Sequence, residues 1–267
     1  MNLVKAHAFG NDFLLLHRRE LRDPGRLAAL ARAVCDRHRG LGADGLIVYE
    51  TDAGGASMQL LNADGSPSEI SGNGVRCLAA SIARTAKLQP GATIDIETAA
   101  GTKRLELLGE AAGRLMFRAA MGPPEQVARV TLEVGGRQVD AITLRVGNPQ
   151  CVVLGEVSEE RLHRLASALA VHPHFPEGTN VELAGVVAPA RVRILIWERG
   201  VGPTEASGTG ACAAAVAAIQ YGGALRDLEV ESPGGVQRVE WRDDGLYLTG
   251  WAEIVAEARW CREAPAG

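Results

Sequence analysis

The feature that most constrains this chain is an internal repeat. Ser-Gly-Asn-Gly begins at Ser71 and Ser-Gly-Thr-Gly begins at Ser207, an offset of 136 residues (207 less 71). The same offset carries Glu69 to Glu205, Gly42 to Gly178, Asp44 to Asn180 and Asn62 to Glu198. Asn11 in Gly-Asn-Asp pairs with Asn148 in Gly-Asn-Pro at 137 (148 less 11). One coincidence between glycine-rich turns is ordinary. Six in the same order indicate a duplicated structural unit. With 267 residues the chain can hold two medium domains. The halves divide near Ala112–Gly113, giving domains at 1–112 and 113–251. A site built equally by both halves belongs in the cleft between them.

Between the repeated motifs, short apolar runs are punctuated by glycine. Strands are predicted at 46–49, 58–61, 93–97, 103–108, 114–119, 130–134, 141–146, 152–154, 191–197, 228–231, 236–241 and 246–249. A helix is predicted after Asp23, where Leu27, Leu30, Ala31 and Val34 share one face behind Pro24. Another spans 159–171, and two Ala-rich helices start just after Ser71 and Ser207. The fold class is α/β in the broad sense, an α+β mixture of mostly antiparallel strands. It lacks the strand–helix alternation of a parallel sheet. That weakens a dinucleotide-fold reading of Gly208-Thr209-Gly210-Ala211-Cys212-Ala213, which fits G-x-G-x-x-A with Glu229 and Glu231 about 20 residues on.

Each Ser-Gly-x-Gly precedes a helix, whose unpaired first-turn amides and dipole favour an anion. Two such starts facing one cleft could hold one carboxylate and set Ser71 and Ser207 on opposite faces of the adjacent carbon. That geometry removes a proton from one face and returns one to the other, with the bound carboxylate stabilising the developing charge. Taken singly, each motif reads as an N-cap serine of an ordinary helix; the duplication favours the chemical reading. Glu198 and Arg199 follow a strand, where Arg suits a carboxylate and Glu an ammonium. As an adjacent surface pair they would be worth little. Asn11, Asn62, Asn148 and Asn180 could each be turn residues, but as a repeated set they read as ligand contacts.

Composition excludes several classes. The net charge is −4, without the clustered cations that nucleic acid requires. No stretch approaches the ~20 apolar residues of a membrane span, and MNLVKAHAFGND does not read as a signal peptide. The five cysteines, Cys35, Cys77, Cys151, Cys212 and Cys261, have neither disulfide-framework nor zinc spacing. They point to a reducing cytoplasm. Neither serine lies in G-x-S-x-G, which disfavours a serine hydrolase.

The motifs together resemble those of diaminopimelate epimerases. Phe9-Gly10-Asn11-Asp12-Phe13 is similar to the family's opening motif, and Asp36-Arg37-His38 with Gly42-Ala43-Asp44-Gly45-Leu46 to its second. Asn62-Ala63-Asp64-Gly65-Ser66, Glu69 and Gly72 to Cys77 resemble its first catalytic loop. Gly147-Asn148-Pro149 and Phe175 to Val181 resemble second-domain motifs. Trp197 to Gly202, running on to Gly208-Thr209-Gly210-Ala211-Cys212, resembles its second catalytic loop. The resemblance covers nearly the whole chain. It implies two pseudo-symmetric domains, each a β-barrel or roll around a central helix, with the last strand (252–267) returning to the first domain. It also implies interconversion of LL- and meso-2,6-diaminoheptanedioate in lysine and peptidoglycan precursor synthesis, with neither metal nor pyridoxal cofactor. Gly72-Asn73 and Gly208-Thr209 would hold the reacting α-carboxylate. Asn11, Asn62, Asn148, Asn180, Glu198 and Arg199 would read the rest of the substrate. The partners expected are a small diamino dicarboxylate and a second copy of the chain, with neither nucleic acid nor membrane.

Three positions depart from the pattern. The family has cysteine where this chain has Ser71 and Ser207, and commonly histidine where it has Gln150. A thiol near pKa ~8.5 is readily lowered by a helix start, whereas a hydroxyl needs a partner base. The change of all three reads as a natural serine variant. Cys77 and Cys212 read as small buried residues. The departures leave open a related enzyme doing one-sided chemistry such as elimination, an isomerase for another substrate, and a non-catalytic amino-acid-binding relative.

Overall fold

The structure is a computed structural model and describes residues 1–21, 23–52, 55–68 and 70–262. In order, the chain forms β1 (Asn2–Ala8), β2 (Asn11–His17), α1 (Leu27–Cys35), β3 (Gly45–Thr51), β4 (Gly55–Asn62), β5 (Pro67–Ser68), α2 (Gly72–Thr85), β6 (Thr93–Thr98), β7 (Gly101–Ala111) and β8 (Arg114–Gly122). It then repeats with β9 (Glu125–Val134), β10 (Arg137–Val146), β11 (Asn148–Leu154), α3 (Glu159–Ala170), β12 (Asn180–Ala188), β13 (Arg191–Glu198), β14 (Gly202–Thr204), α4 (Gly208–Tyr221), β15 (Asp227–Ser232), β16 (Gly235–Arg242) and β17 (Gly245–Arg259).

The chain divides into two compact units, Met1–Ala119 with the chain from Gly250 onward, and Ala120–Thr249. Ala112–Gly113, the division read from the sequence, is the tight turn of the β7–β8 hairpin. Both residues are at positive φ, 52° and 79°, as a two-residue hairpin turn requires. The first unit continues past it to Ala119.

In the first unit the strands close into an eight-stranded ring. β1 pairs β2, β2 runs parallel to β3, β3 pairs β4, and β4 runs parallel to β6. β6 pairs β7, β7 pairs β8, and β17 joins β8 to β1. Helix α2 touches β1 and β2 as well as β6 and β7 and is buried along most of its length, so it lies inside the ring. This is why its sequence carries Ala, Cys and Val where an exposed helix would carry charge. Helix α1 covers the outer face of β3 and β4, where Leu30, Ala31 and Val34 meet Leu46, Val48 and Leu61.

The second unit repeats this order internally. β10 pairs β11, β11 runs parallel to β12, β12 pairs β13, β13 runs parallel to β15, and β15, β16 and β17 follow as a meander. β9 adds to the free side of β10. Helix α4 packs on β10 to β13 and on β15 and β16, and α3 covers the other face of β12 and β13. No helix of the described residues is long and apolar enough to cross a membrane.

Strand pairing refines the repeat. Phe13 pairs Gly45 across β2 and β3, and Gln150 pairs Asn180 across β11 and β12. Gly45 is therefore the structural counterpart of Asn180, an offset of 135 (180 less 45), not Asp44 as the constant offset of 136 suggests. Two residues further along each strand, Ile47 is the counterpart of Glu182.

Candidate active site

The two helix starts have nearly identical local geometry. Ser71 (φ −133°, ψ 121°) and Ser207 (φ −136°, ψ 130°) are N-caps in extended conformation. The Ser71 Oγ accepts from Gly74 N at 3.1 Å, and the Ser207 Oγ from Gly210 N at 3.2 Å. The first intrahelical bonds are Val75 N to Ser71 O at 2.9 Å and Ala211 N to Ser207 O at 3.0 Å. The amides of Gly72, Asn73, Gly208 and Thr209 precede those bonds and have no acceptor within the helix. Glycine is needed at the third helical position because each helix sits close to its floor. A Cβ on Gly74 would lie 3.0 Å from Ile47 Cδ1, and one on Gly210 would lie 2.7 Å from Glu182 Oε1.

Around the first start, polar side chains are chained together. Arg37 donates to Asp12 and to Asp44, each at 2.8 Å, and Lys5 lies 3.0 Å from Asp12. Asn11 Nδ2 donates to Asp44 at 2.8 Å, Asn73 Nδ2 donates to Asn11 Oδ1 at 3.3 Å, and Arg76 donates to Asn73 Oδ1. The carboxylate thereby fixes which way each asparagine amide points. Burial pushes the Asp12 carboxyl up, but the hydrogen bonds and charges of Arg37 and Lys5 outweigh it and hold Asp12 below the usual range. Asn62, at the end of β4, donates to Ser66 at 2.9 Å. Glu69 lies outside the described residues. The floor beneath α2 is apolar, with Phe13, Ile47 and Leu60 all buried.

Around the second start the floor differs. Gln150, Glu182, Ile196 and Glu198 share one face of β11 to β13, as the register of 150 with 180, 182 with 196 and 181 with 197 requires. Gln150 and Glu182 are both 0% exposed. Gln150 donates to Asn148 Oδ1 at 2.7 Å, while its own Oε1 and both Glu182 carboxyl oxygens have no hydrogen-bond partner among the described residues. Burial, and then the neighbouring Glu198 charge, push Glu182 well above the usual glutamate range. Burial also raises Glu198, and the Ser207 and Thr204 hydroxyls beside it pull it partly back. Asn180 Oδ1 accepts from Arg199 N at 2.9 Å, and the Arg199 guanidinium donates to the Glu177 carbonyl. A cavity of about 320 Å³ opens beside this set, lined by Arg145, Pro149, Gln150, Phe175, Glu177 and Gly178.

Within the first unit, then, the fold joins Asn11 and Asn73 to the helix start of Ser71 and Gly72, with Asn62 at the end of β4. Within the second, Glu198 lies beside Ser207, Arg199 meets Asn180 through its backbone amide, and Asn148 meets Gln150. Cys77 and Cys212 are buried, and burial pushes the Cys77 thiol far up, as suits a packing residue. Two features are not visible in the sequence. The Arg37–Asp12 pair behind Asn11 lies within motifs already singled out, but nothing in their spacing shows that they meet. Glu182 is hidden because the constant offset aligns it with an outward Leu46.

Comparison with known proteins places the chain in a family and shows its fold. The sequence profile described as diaminopimelate epimerase matches residues 3–127 and 142–255. A diaminopimelate epimerase of Desulforudis audaxviator is 39% identical, covering 98% of this chain and 100% of that one. One of Microcystis aeruginosa is 40% identical over 95% of this chain and 96% of its own length. Among solved structures, a predicted epimerase of Pseudomonas aeruginosa shares the fold with a TM-score of 0.73 at 14% identity, covering 98% of this chain and 99% of that one. A hydroxyproline epimerase of Agrobacterium vitis, with bound trans-4-hydroxy-L-proline, gives 0.69 at 17% identity over 97% and 90%. The chain belongs to the diaminopimelate epimerase family.

Proposed function

We propose that this chain interconverts LL- and meso-2,6-diaminoheptanedioate by proton transfer on both faces of the α-carbon, with Ser71 acting on one face and Ser207 on the other. The observation that carries the reading is the matched pair of serine-capped helix starts, each offering two first-turn amides. Gly72-Asn73 and Gly208-Thr209 would hold the α-carboxylate, where N–H groups and helix dipoles stabilise charge spreading from the α-carbon. Asn11, Asn62, Asn148, Asn180 and Arg199 would bind the remaining amino and carboxylate groups. A pathway role in lysine and peptidoglycan precursor supply and a cytoplasmic location accord with this reading.

Hydroxyl chemistry needs a base, and the second helix start supplies one. In one direction the α-proton passes to Ser207 Oγ as the Ser207 hydroxyl proton passes to Glu198. The C–H electron pair stays on the substrate as an enediolate-like anion. Ser71 then delivers its proton to the opposite face, and solvent reprotonates Ser71 and deprotonates Glu198, so the proton count closes. General acid–base catalysis is most effective when the group titrates near the working pH. Glu198, raised by burial, approaches that condition from below. Incubation with the LL isomer in D₂O, with NMR of the α-position and chiral analysis of the product, tests the reading. Deuterium incorporation accompanied by the meso isomer is expected; unchanged substrate at high enzyme concentration would rule it out.

A further inference from the structure

One carboxyl group beneath the second helix start takes no part in that transfer. Glu182 is wholly buried, and neither of its oxygens has a hydrogen-bond partner among the described residues. It points at the first turn of α4, since a Cβ on Gly210 would lie 2.7 Å from its Oε1. It pairs Ile196 across β12 and β13, which makes Glu198 its diagonal neighbour on the same face, within reach of a long side chain. Packing alone does not call for an acid here. The counterpart Ile47 approaches Gly74 in the same way, its Cδ1 lying 3.0 Å from where a Cβ would stand, and fills the space with an apolar group. An unpartnered buried carboxyl is costly, so the acid is kept at the expense of stability.

We propose that Glu182 is a positioning residue for the Ser207 face: a neutral carboxylic acid that holds one proton beside Glu198 and confines the negative charge of the pair to Glu198, the carboxylate next to Ser207. The proposal rests on the function set out above and deepens it. Two carboxyls on one buried face do not readily ionise together. Glu198 has hydroxyl neighbours and ionises first; Glu182 has none and keeps its proton. At rest the pair carries one proton. When Ser207 passes its proton to Glu198 the pair carries two, and it returns to one when Glu198 releases that proton. Among the described residues, the titratable groups interacting with Glu182 are Glu198 on β13, on the same face, and the Cys151 thiol on β11, which lies on the opposite face in the core under α3 and is raised by burial and then by Glu182.

Infrared spectroscopy of the full chain in D₂O at neutral pH tests the proton directly. The native protein should show a protonated-carboxyl stretch that Glu182→Gln loses and Glu198→Gln keeps. Glu182→Leu, which restores the apolar character of the counterpart position, should lose the band too and serves if Glu182→Gln folds poorly. The second readout is the pH profile of α-proton exchange. As pH rises and the pair loses its last proton, a second negative charge joins Glu198 in the native chain but not in Glu182→Gln, so the native profile should carry an alkaline inflection that Glu182→Gln lacks. No protonated-carboxyl band in the native chain, a band that survives both Glu182 substitutions, or superposable pH profiles would each overturn the proposal. A native chain that exchanges no α-proton at any pH would sink the epimerase reading instead, and the infrared result would still decide where the proton resides.

Discussion

The two halves carry the same helix start on opposite kinds of floor. Phe13, Ile47 and Asn62 in the first unit correspond to Gln150, Glu182 and Glu198 in the second, so an amide and two acids replace two apolar groups and an amide. The first unit matches the acids near its helix start, Asp12 and Asp44, with the cations Arg37 and Lys5. The second buries one carboxyl, Glu182, and half-buries another, Glu198, and no cation among the described residues is what shifts either of them. Matched charge fixes side-chain direction and does not readily take up a proton. Unmatched buried acid does the reverse. The comparison teaches that a duplicated scaffold can be rigid on one side and proton-accepting on the other while the helix caps stay the same.

The largest expected effect separates the two serines. If only Ser207 has a carboxylate beside it, Ser71→Ala should lose epimerisation by roughly a hundredfold or more, the usual scale for a general acid or base. It should nevertheless keep washing the α-proton out, because Ser207 and Glu198 can remove and return a proton on one face. Ser207→Ala should lose both. Paired NMR exchange and chiral chromatography read the difference. Equal loss of both activities in the two variants would break the asymmetry.

The charge-matched half is expected to depend on its anion. Asp12→Asn would leave Arg37 and Lys5 without their shared partner. Because both cations are partly exposed, the loss should be about 2 kcal/mol, less than for a fully buried pair. Urea unfolding measures it, and a change within error would mean that the network orders the asparagines without stabilising the fold.

The acid-rich half should respond in the opposite sense. Replacing an unpartnered buried carboxyl by Leu removes a desolvation penalty, so Glu182→Leu should raise stability by about 1–2 kcal/mol. The sign with pH follows from the direction of each shift. The folded pKa of Glu182 is raised, so its unfavourable contribution is absent below the ordinary glutamate value of ~4.3 and grows as pH rises towards the raised one. The folded pKa of Asp12 is lowered, so its contribution is complete above ~3.9 and lost as pH falls through the lowered value. Thermal unfolding across pH should show the advantage of Glu182→Leu widening towards alkali. An advantage that stays flat would contradict the raised pKa.

Much of this is legible in the sequence because it is local. Helix caps, glycine turns and alternating strands are written in neighbouring residues, and the predicted strand at 93–97 and helix at 159–171 fall within a residue of β6 and α3. The sequence reading omits β1 and β2, a local hairpin whose second strand is buried on both faces, so its run Phe13–Leu16 shows no alternation. β12 escapes for a related reason, since its inward glutamate breaks the apolar alternation that identifies a half-buried strand. A repeat offset is likewise a one-dimensional measure. It locates both serines, but a one-residue slip between Asp44 and Asn180 misassigns the inward and outward faces of β12, and with them the role of Glu182.

The smallest expected effect concerns the feature the halves share. Ser71→Cys and Ser207→Cys each replace a good hydrogen-bond acceptor by sulfur, a weak one. Each should therefore lose part of an N-cap, about 0.5–1 kcal/mol. The cap distances of 3.1 and 3.2 Å predict nearly equal losses, whatever lies on the floor below. Activity should move the other way. A thiol at a helix start ionises far more readily than a hydroxyl, so the double substitution, combined with Gln150→His, should speed α-proton exchange while lowering the melting temperature. Opposite signs in stability and rate would show that serine is the better cap and the poorer acid. Markedly unequal stability losses at the two positions would show instead that the floors reach the caps, and that the halves are not alike even there.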